Sequence, residues 1–223
     1  MNAPENDSPA AGGDPRWLAW ARQLHAVARN GLLYSENAYD KERYEQVLQI
    51  AAEMMTVQSG SPDVRPVLDL LKTDTGYITP KVDVRAVIMQ DNKMLLVEEL
   101  MDDRRWTLPG GWADPNDSPA IATERETREE TGLEVKATRL LAAYDRSHPR
   151  HGHQPPQPLY SYKLFFLCDI VGGQLTQSIE TGKSAFFAED EIPENLSIAR
   201  ISRSQLLRFF EMVRYNVQQA DFD

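Results

Sequence analysis

The first third of the chain carries apolar residues at helical spacing. The pattern predicts one helix from Arg16 to about Asn30, a second that Asp40 can cap, and a shorter one over residues 62–72. The second helix has an apolar stripe, for which core packing is the favoured reading: Tyr44, Val47, Leu48, Ala51 and Met55. Three short helices have little core of their own, so we expect them to pack on the remaining chain or on a second copy.

The pattern changes to alternating and continuous apolar runs after residue 76. Strands are predicted first at Val82–Gln90 and Met94–Leu100, joined by an Asp-Asn-Lys turn signal. Further strands and a final amphipathic helix follow at Leu133–Tyr144, Leu159–Ile170, Ser184–Phe187 and Ser202 to about Val217, with a turn at Gly172-Gly173. Strands that alternate with helices indicate α/β layers. We therefore expect a tail over residues 1–15, a helical segment over 16–75 and an α/β domain over 76–223.

One more helix is predicted between two of these strands, and both of its ends are marked. Ser118 followed by Pro119 is a good N-cap and first-turn pair, and Gly132 stands where a left-handed C-terminal stop is expected. The helix should therefore run from about Pro119 to Thr131. A tight turn with two glycines at 108–111 precedes it, and such a backbone can approach a ligand closely.

Three carboxylates lie on one stripe of this helix. Glu126, Glu129 and Glu130 are spaced i, i+3 and i+4, so their negative charges repel each other across the same face. A bound cation would remove the repulsion, and ligands that are all oxygen select Mg²⁺ or Mn²⁺ over zinc. Mg²⁺ usually shares its shell with phosphates and water, which indicates an enzyme acting on phosphates. A charged, solvated helix face is the alternative that the residues alone leave open.

The run from Gly111 to Leu133 resembles the Nudix hydrolases. Their box reads Gly, five residues, Glu, seven residues, Arg-Glu, an apolar residue, any residue, Glu-Glu, any residue, Gly and an apolar residue. Seven positions match at the right spacing: Gly111, Arg125, Glu126, Glu129, Glu130, Gly132 and Leu133. Two depart, because Asp117 replaces a Glu and Thr127 replaces an apolar residue. We expect Asp117 to loosen the loop before the helix and Thr127 to weaken helix packing slightly.

The resemblance implies a fold and a set of roles. The fold is the Nudix α/β/α sandwich with a mixed sheet, preceded here by a small N-terminal helical segment. Glu126, Glu129 and Glu130 would hold the metal, together with a backbone carbonyl at the glycine turn, from Gly110 or Gly111. The resemblance also implies that Arg125 orients a glutamate and that one glutamate acts as general base. Glu180 is the candidate for an additional acidic residue outside the box. Lys183 stands where some relatives carry another acidic residue.

A wider stretch, from Trp17 to about Pro193, is similar to a Nudix subgroup with an extra N-terminal helical segment. The similarity is carried by residues 34–55, 76–89, 108–120, 143–149 and 164–174. Members of the subgroup act on nucleoside diphosphates linked to another moiety and include CDP-choline pyrophosphatases. The resemblance therefore favours CDP-choline as the substrate, with ADP-ribose as the alternative.

Other residues are candidates for contact with such a substrate. Arg85 could bind a phosphate in bidentate fashion, although an ion pair with Asp83 is an equally good reading. Arg146 and His148 lie in a Pro-rich loop, residues 144–158, that holds three of the four histidines and, as far as the sequence shows, no acidic or cysteine partner for them. We therefore expect a mobile loop bordering the substrate pocket there, not a metal site. A choline head would need an aromatic face, for which four residues are available: Tyr77, Trp106, Trp112 and Tyr144.

Composition narrows the alternatives. The 223 residues carry a formal net charge of −10, which disfavours nonspecific binding to a nucleic acid backbone and makes RNA 5′-end removal a poor reading. The single cysteine, Cys168, lies in an apolar run and is expected to be a buried strand residue. No apolar stretch is long enough for a membrane span, and the acidic, Pro/Gly-rich N-terminus is not a signal peptide, so we expect a disordered tail and a cytoplasmic protein.

These observations predict a Mg²⁺-dependent pyrophosphohydrolase that splits a nucleoside diphosphate derivative into a nucleoside monophosphate and a phosphorylated partner. A module that binds nucleotides without turnover is the reading from another class, and the intact set of glutamates disfavours it. We expect the N-terminal helices to pack across a two-fold interface, making a homodimer and one wall of the substrate pocket.

Overall fold

The computed structural model describes residues 14–60, 62–151 and 154–223. Most of the predicted tail, residues 1–13, lies outside the described residues. The chain forms two compact units. The helical unit comprises residues 14–80 together with residues 154–160, and the α/β unit comprises residues 81–151 and 161–223.

The helical unit contains three helices: α1 (Arg16–Tyr34), α2 (Ala38–Ser59) and α3 (Arg65–Thr73). The N-cap of α2 is Asn37, whose side chain accepts a hydrogen bond from the Tyr39 amide at 2.8 Å. The expectation that Asp40 caps this helix is therefore wrong. Asp40 already lies in the first helical turn, whereas Asn37 has the extended backbone that a capping residue adopts.

These helices bury a core of their own, contrary to the expectation from the sequence. Eight apolar side chains are buried between them: Leu18, Ala21, Ala28, Leu48, Ala51, Ala52, Met55 and Leu71. Small residues at the contact let α1 and α2 approach closely, so few residues enclose a dry interior. The segment 154–160 joins this unit, because the Arg22 guanidinium donates to the carbonyls of Gln157 and Pro158, and Leu159 packs against the core. Leu159 therefore does not begin the predicted strand.

The α/β unit is built on a mixed sheet. Its elements in chain order are β1 (Lys81–Gln90), β2 (Lys93–Glu99), β3 (Arg105–Thr107), α4 (Pro119–Thr131), β4 (Leu133–Asp145), β5 (Ser161–Gly173), β6 (Thr181–Phe187), α5 (Arg203–Arg214) and β7 (Asp221–Phe222). The strand order is β3-β2-β1-β5-β4-β7, and β6 pairs with β2. Strands β1 and β5 run parallel, as do β4 and β7, and the other pairs are antiparallel.

Helices cover both faces of the sheet. On one face, Val87 and Phe165 are buried in a cluster with α5, which contributes Phe209. On the other face, Ile88 and Cys168 belong to a second cluster. The charge of Glu124, on α4, raises the pKa of the Cys168 thiol from that side. Successive strand residues point to opposite faces, so the two helices lie in separate outer layers. The predicted three-layer α/β arrangement is confirmed.

The details of the strands follow local chemistry. Asp91 and Asn92 both have positive φ, 50° and 60°, which is the conformation that a two-residue hairpin turn requires. Strand β5 runs to Gly173, so the predicted Gly-Gly turn is instead the end of the strand. Cys168 is a buried free thiol, as expected, and burial raises its pKa to about 12. In the ranges that the structure describes, no helix is long and apolar enough to cross a membrane.

Candidate active site

Helix α4 has the predicted bounds, and its ends are fixed by the predicted residues. The Ser118 hydroxyl accepts a hydrogen bond from the Ile121 amide at 3.3 Å, and Pro119 occupies the first turn. Gly132 has a φ of 75°, and its amide donates to the Arg128 carbonyl at 2.9 Å. The glutamates therefore project from a helix with a defined start and end.

Three buried threonines line a neighbouring stripe of α4. The hydroxyls of Thr123, Thr127 and Thr131 each donate to the carbonyl four residues earlier, at 2.6 to 2.8 Å. A hydroxyl bonded in this way can be buried without a desolvation penalty. Thr127 is completely buried, so its hydroxyl is accommodated at a position where related chains have an apolar residue.

Glu130 is the most enclosed of the three glutamates. Its side chain is buried and accepts a hydrogen bond from the Gly110 amide at 2.9 Å. Burial is the main reason that the pKa of this carboxyl is raised, to about 8. Glu126 and Glu99 contribute to the rise, whereas Arg85 and the Gly110 amide oppose it. A cation beside Glu130 would favour the ionised form.

Arg125 gathers the other carboxylates of the site. Its guanidinium lies 2.8 Å from Glu126 and 3.1 Å from Glu129. It also contacts Asp117 at 3.0 Å and Asp114 at 3.1 Å. The expectation that Asp117 loosens the loop is wrong, because its carboxylate connects the loop to the helix through Arg125. Burial raises the pKa of Glu126, and Arg125 opposes that effect.

The glycine turn places its backbone against strand β1. Gly110 has a φ of 131°, and a Cβ on it would meet the Val84 carbonyl oxygen at 2.1 Å, so only glycine fits. The Gly111 carbonyl, proposed from the sequence as a metal ligand, accepts a hydrogen bond from the Val84 amide at 2.8 Å. Within the described residues, we find no hydrogen bond to the Gly110 carbonyl, so Gly110 is the better placed of the two candidates.

Arg85 forms the ion pair that was expected as the alternative to phosphate binding. It is buried and makes two hydrogen bonds of 2.8 Å to Asp83, and a third of 3.1 Å to the Leu108 carbonyl. Lys163 lies beside this pair on β5 and donates to the Arg200 carbonyl. Burial lowers the pKa of Lys163 to about 7. The charged pair of β1 thereby supports the turn that carries Gly110.

Arg146 and His148 lie after β4. Arg146 is buried and donates to the Ala199 carbonyl at 3.1 Å. The Nδ1 atom of His148 lies 3.6 Å from the Asp223 carboxylate, and Nε2 of His151 donates to the same carboxylate at 2.8 Å. The expectation that these histidines lack an acidic partner is therefore wrong, because β7 brings Asp223 to them from the far end of the chain.

Glu180 lies just before β6, near the end of α4. Its side chain is exposed, and the next residue, Thr181, donates to the Glu130 carbonyl at 2.5 Å. Lys183 is bonded through its amide to Glu98 at 3.2 Å. Glu99 was not predicted as a site residue, although its charge raises the pKa of Glu130 and its carboxylate pairs with Arg200 at 3.3 Å. The one sequence feature that could have indicated it is the pair of acidic residues, Glu98 and Glu99, near the end of a predicted strand.

The glutamate donor set fits a hard divalent cation. Its ligands are all oxygen. The negative charge of Glu126 disfavours ionisation of the buried Glu130 carboxyl, and a divalent cation would compensate for this repulsion. The three glutamates are not preassembled around one point, since Arg125 engages Glu126 and Glu129. Across the parts of the chain that the structure describes, the one group of three ligating side chains whose ligand atoms lie within 4.8 Å of each other is His148, His151 and Asp223.

Comparison with known families matches both units. Residues 79–209, more than half of the chain, match the NUDIX domain. Residues 15–70 match the family described as a UDP-X-like, N-terminal oligomerisation domain. The observed division into a helical and an α/β unit is therefore also a division between two known domain families.

Relatives match over most of the chain. A Bacillus subtilis protein named "Putative ADP-ribose pyrophosphatase YjhB" is 41% identical over 208 residues, which cover 93% of this chain and 97% of the relative. A crystal structure of a UDP-X diphosphatase, 32% identical, covers 93% of this chain and 98% of its own, with a TM-score of 0.59. An ADP-ribose pyrophosphatase structure from Streptococcus suis, 37% identical, covers 65% of this chain and 100% of its own, with a TM-score of 0.56. The chain belongs to the Nudix hydrolase family and is a pyrophosphohydrolase.

Proposed function

We propose that this enzyme hydrolyses the pyrophosphate bond of nucleoside diphosphates linked to another moiety, and that it depends on Mg²⁺ or Mn²⁺. The products are a nucleoside monophosphate and the phosphorylated partner. The observation that carries the proposal is the burial of Glu130 on the Gly110 amide, next to Glu126 and Glu129 on the same stripe of α4. Buried, clustered carboxylates are costly unless a cation or a substrate contact offsets them.

In this proposal, Glu126, Glu129 and Glu130 hold the divalent ion together with a carbonyl of the glycine turn. When bound, the ion would neutralise phosphate charge and lower the pKa of a coordinated water. The Gly111 carbonyl already accepts from the Val84 amide, and the described residues make no hydrogen bond to the Gly110 carbonyl, which supports Gly110 as the donor. The chain's own contribution is a fixed turn and a fixed helix end, which hold the backbone of the donor residues before substrate arrives.

Arg125 is a positioning residue in this account. Its contacts to Glu126 and Glu129 hold two ligands, and its contact to Asp117 holds the loop. Glu180 remains our candidate for the additional acid, supported by the bond between its neighbour Thr181 and Glu130. Clustered carboxylates titrate together, so the general base is assigned to this group of carboxylates as a whole and to no single residue in it.

The linked moiety has two candidates. CDP-choline is the preference from the sequence resemblance. Trp112 supports an aromatic contact to a base or a choline head, since it follows Gly111 and is half exposed. Trp106 and Tyr144 are less suited, because Trp106 packs edge-on against Phe187 and Tyr144 is buried. ADP-ribose is the second candidate, and the names of the Bacillus and Streptococcus relatives favour it.

The helical unit is proposed to join two copies of the chain in a homodimer. A largely apolar patch of α1 and α2, the helical face, forms a shallow groove that the described residues leave open. It is lined by Trp17, Ile50, Met54 and Val57, together with Glu53. Ile50 and Val57 are 50% and 72% exposed, which is unusual for adjacent apolar residues on one helix. The match of this segment to an oligomerisation domain favours a second copy as the occupant.

A panel of substrates tests the proposed function. CDP-choline, ADP-ribose, UDP-sugars and nucleoside triphosphates are incubated with the full chain and Mg²⁺, and products are separated by chromatography. The proposal expects a nucleoside monophosphate plus a phosphorylated partner from one or more linked diphosphates, at rates well above those for triphosphates. A preference for triphosphates, with inorganic pyrophosphate as product, would contradict it.

A further inference from the structure

A second group of ligating side chains lies outside the glutamate site. His148 and His151 come from the loop after β4, where residues Pro149–His151 form a single 3-10 turn, and Asp223 follows β7. The Asp223 carboxylate lies 2.8 Å from Nε2 of His151 and 3.6 Å from Nδ1 of His148. The ligand atoms of all three side chains lie within 4.8 Å of one another. Pyrophosphate hydrolysis as proposed above uses none of them in metal binding.

The separations suit one small ion. In a tetrahedral site with bonds of about 2.0–2.2 Å, neighbouring ligand atoms are roughly 3.3 Å apart. The observed distances of 2.8 and 3.6 Å lie on either side of that value, and the third separation is within 4.8 Å. Imidazole nitrogen together with carboxylate oxygen favours a borderline ion such as Zn²⁺ over Mg²⁺.

The orientation of the ligands also fits. The His151 ring packs on Tyr144 with centroids 4.1 Å apart, which fixes the orientation of the imidazole. The second carboxylate oxygen of Asp223 accepts from the Asp145 amide at 2.6 Å, so both ligands are held in place before an ion arrives.

An ion can reach these ligands from solvent. Arg150 lies 3.2 Å from Asp223, and its guanidinium also pairs with Asp221 at 2.8 Å and donates to the Phe222 carbonyl. Arg208 also pairs with Asp221, at 3.4 Å, so the two carboxylates face two guanidiniums here. The His148 side chain is 42% exposed, which gives an ion access from solvent and leaves its fourth position to water.

We propose that His148, His151 and Asp223 form a binding site for a divalent transition-metal ion of the zinc type, separate from the magnesium site on α4. The ion would join the loop after β4 to the C-terminal strand β7. That strand is only two residues long, and its pairing with β4 alone gives it little stability.

Calorimetric titration of the full-length chain with Zn²⁺ tests the proposal. The protein is first stripped with EDTA and dialysed, and the titration is run in a large excess of Mg²⁺ to occupy the glutamate site. The variants are His148→Ala, at an exposed position, and Asp223→Asn, which keeps the shape of the side chain. Two matched controls are Asp169→Asn, an exposed carboxylate on β5, and Glu129→Gln on α4.

The proposal expects one Zn²⁺ per chain in the wild type and both controls. Affinity should fall at least about tenfold in His148→Ala and Asp223→Asn, since each loses one of three protein ligands. Zn²⁺ should also raise the melting temperature of the wild type more than that of His148→Ala. Absence of Zn²⁺ binding in the wild type would overturn the proposal. So would binding that survives in His148→Ala and Asp223→Asn, or that is lost in Glu129→Gln.

Discussion

At the scale of single residues, the three glutamates of α4 have different environments. Their spacing in the sequence places them on one stripe and does not distinguish one from another. In the structure Glu130 is buried on the Gly110 amide, Glu126 is partly enclosed beside Arg125, and Glu129 is the most exposed, with 54% of its side chain accessible. How deeply each glutamate is buried depends on how the loop and β6 pack on the helix. The residues next to each glutamate in the sequence do not determine that packing.

The raised pKa of Glu130 predicts a pH-dependent stability in the absence of metal. The folded carboxyl holds its proton up to about pH 8, whereas the unfolded one releases it near 4.5. Between these values the folded state binds more protons, so the free energy of unfolding falls as the pH rises, by up to about 1.4 kcal/mol per unit. In EDTA, Glu130→Gln should remove this fall in stability, while the glutamine carbonyl still accepts the hydrogen bond from the Gly110 amide.

Thermal or urea unfolding between pH 5 and 8 measures the effect. The difference in stability between Glu130→Gln and the wild type should grow with pH, in favour of the variant. Glu134→Gln, at an exposed position on β4, serves as the matched control and should follow the wild type. Parallel pH profiles for the wild type and Glu130→Gln would contradict the burial argument.

The same carboxylates predict a hierarchy of activity. Glu129→Gln and Glu130→Gln should each lower kcat by at least about a hundredfold with folding intact, because each removes charge that holds the ion. Asp117→Ala should be milder, since it acts only through Arg125. Steady-state kinetics alongside melting temperatures provide the test. If Asp117→Ala proved the most damaging of the three at unchanged melting temperature, these roles would be wrong.

At the scale of elements, the sequence predicts well where local chemistry decides. Helix α4 has its predicted bounds, because Ser118 and Gly132 set its ends without help from distant residues. Strands β3 and β7 were not predicted, since two or three residues carry no periodicity. The contact between His151 and Asp223 joins residues 72 positions apart, and only the pairing of β7 with β4 creates it. The wrong expectation about the histidine loop has this origin.

The turn before α4 supplies a prediction about Gly110. Gly110→Ala should destabilise the fold by several kcal/mol, because the new Cβ would overlap the Val84 carbonyl in addition to the cost of a positive φ. Gly76→Ala is the matched control, since its φ is 86° but nothing lies within 4 Å of a Cβ there. Chemical unfolding measures both. Equal losses in the two variants would show that the close contact at Gly110 is not decisive.

At the scale of the whole molecule, the helical unit encloses its own core and still exposes apolar surface. Eight buried apolar residues form a core within it, so the expectation that these helices have little core of their own is wrong. The helical face on α1 and α2 nevertheless remains uncovered, including Ile50 and Val57. A second copy is the occupant that the family match favours.

Light scattering of the full chain tests this assembly. We expect twice the 25.3 kDa mass of one chain at micromolar concentration. The double variant Ile50→Asp, Val57→Asp should be a folded monomer, because two charges would be buried unpaired at the interface. Val171→Asp, at a residue 66% exposed on β5, should remain dimeric. A monomeric wild type, or a double variant that stays dimeric, would rule out this face as the interface.

The most direct test of the account is the metal dependence of hydrolysis by the wild-type chain. ADP-ribose and CDP-choline are assayed after treatment with EDTA, and again after Mg²⁺ or Mn²⁺ is restored. Because the ligands on α4 are all oxygen and two of them are partly or fully buried, we expect activity to disappear in EDTA and to return with either ion. Full activity in EDTA would contradict the central claim that these glutamates hold a catalytic divalent ion.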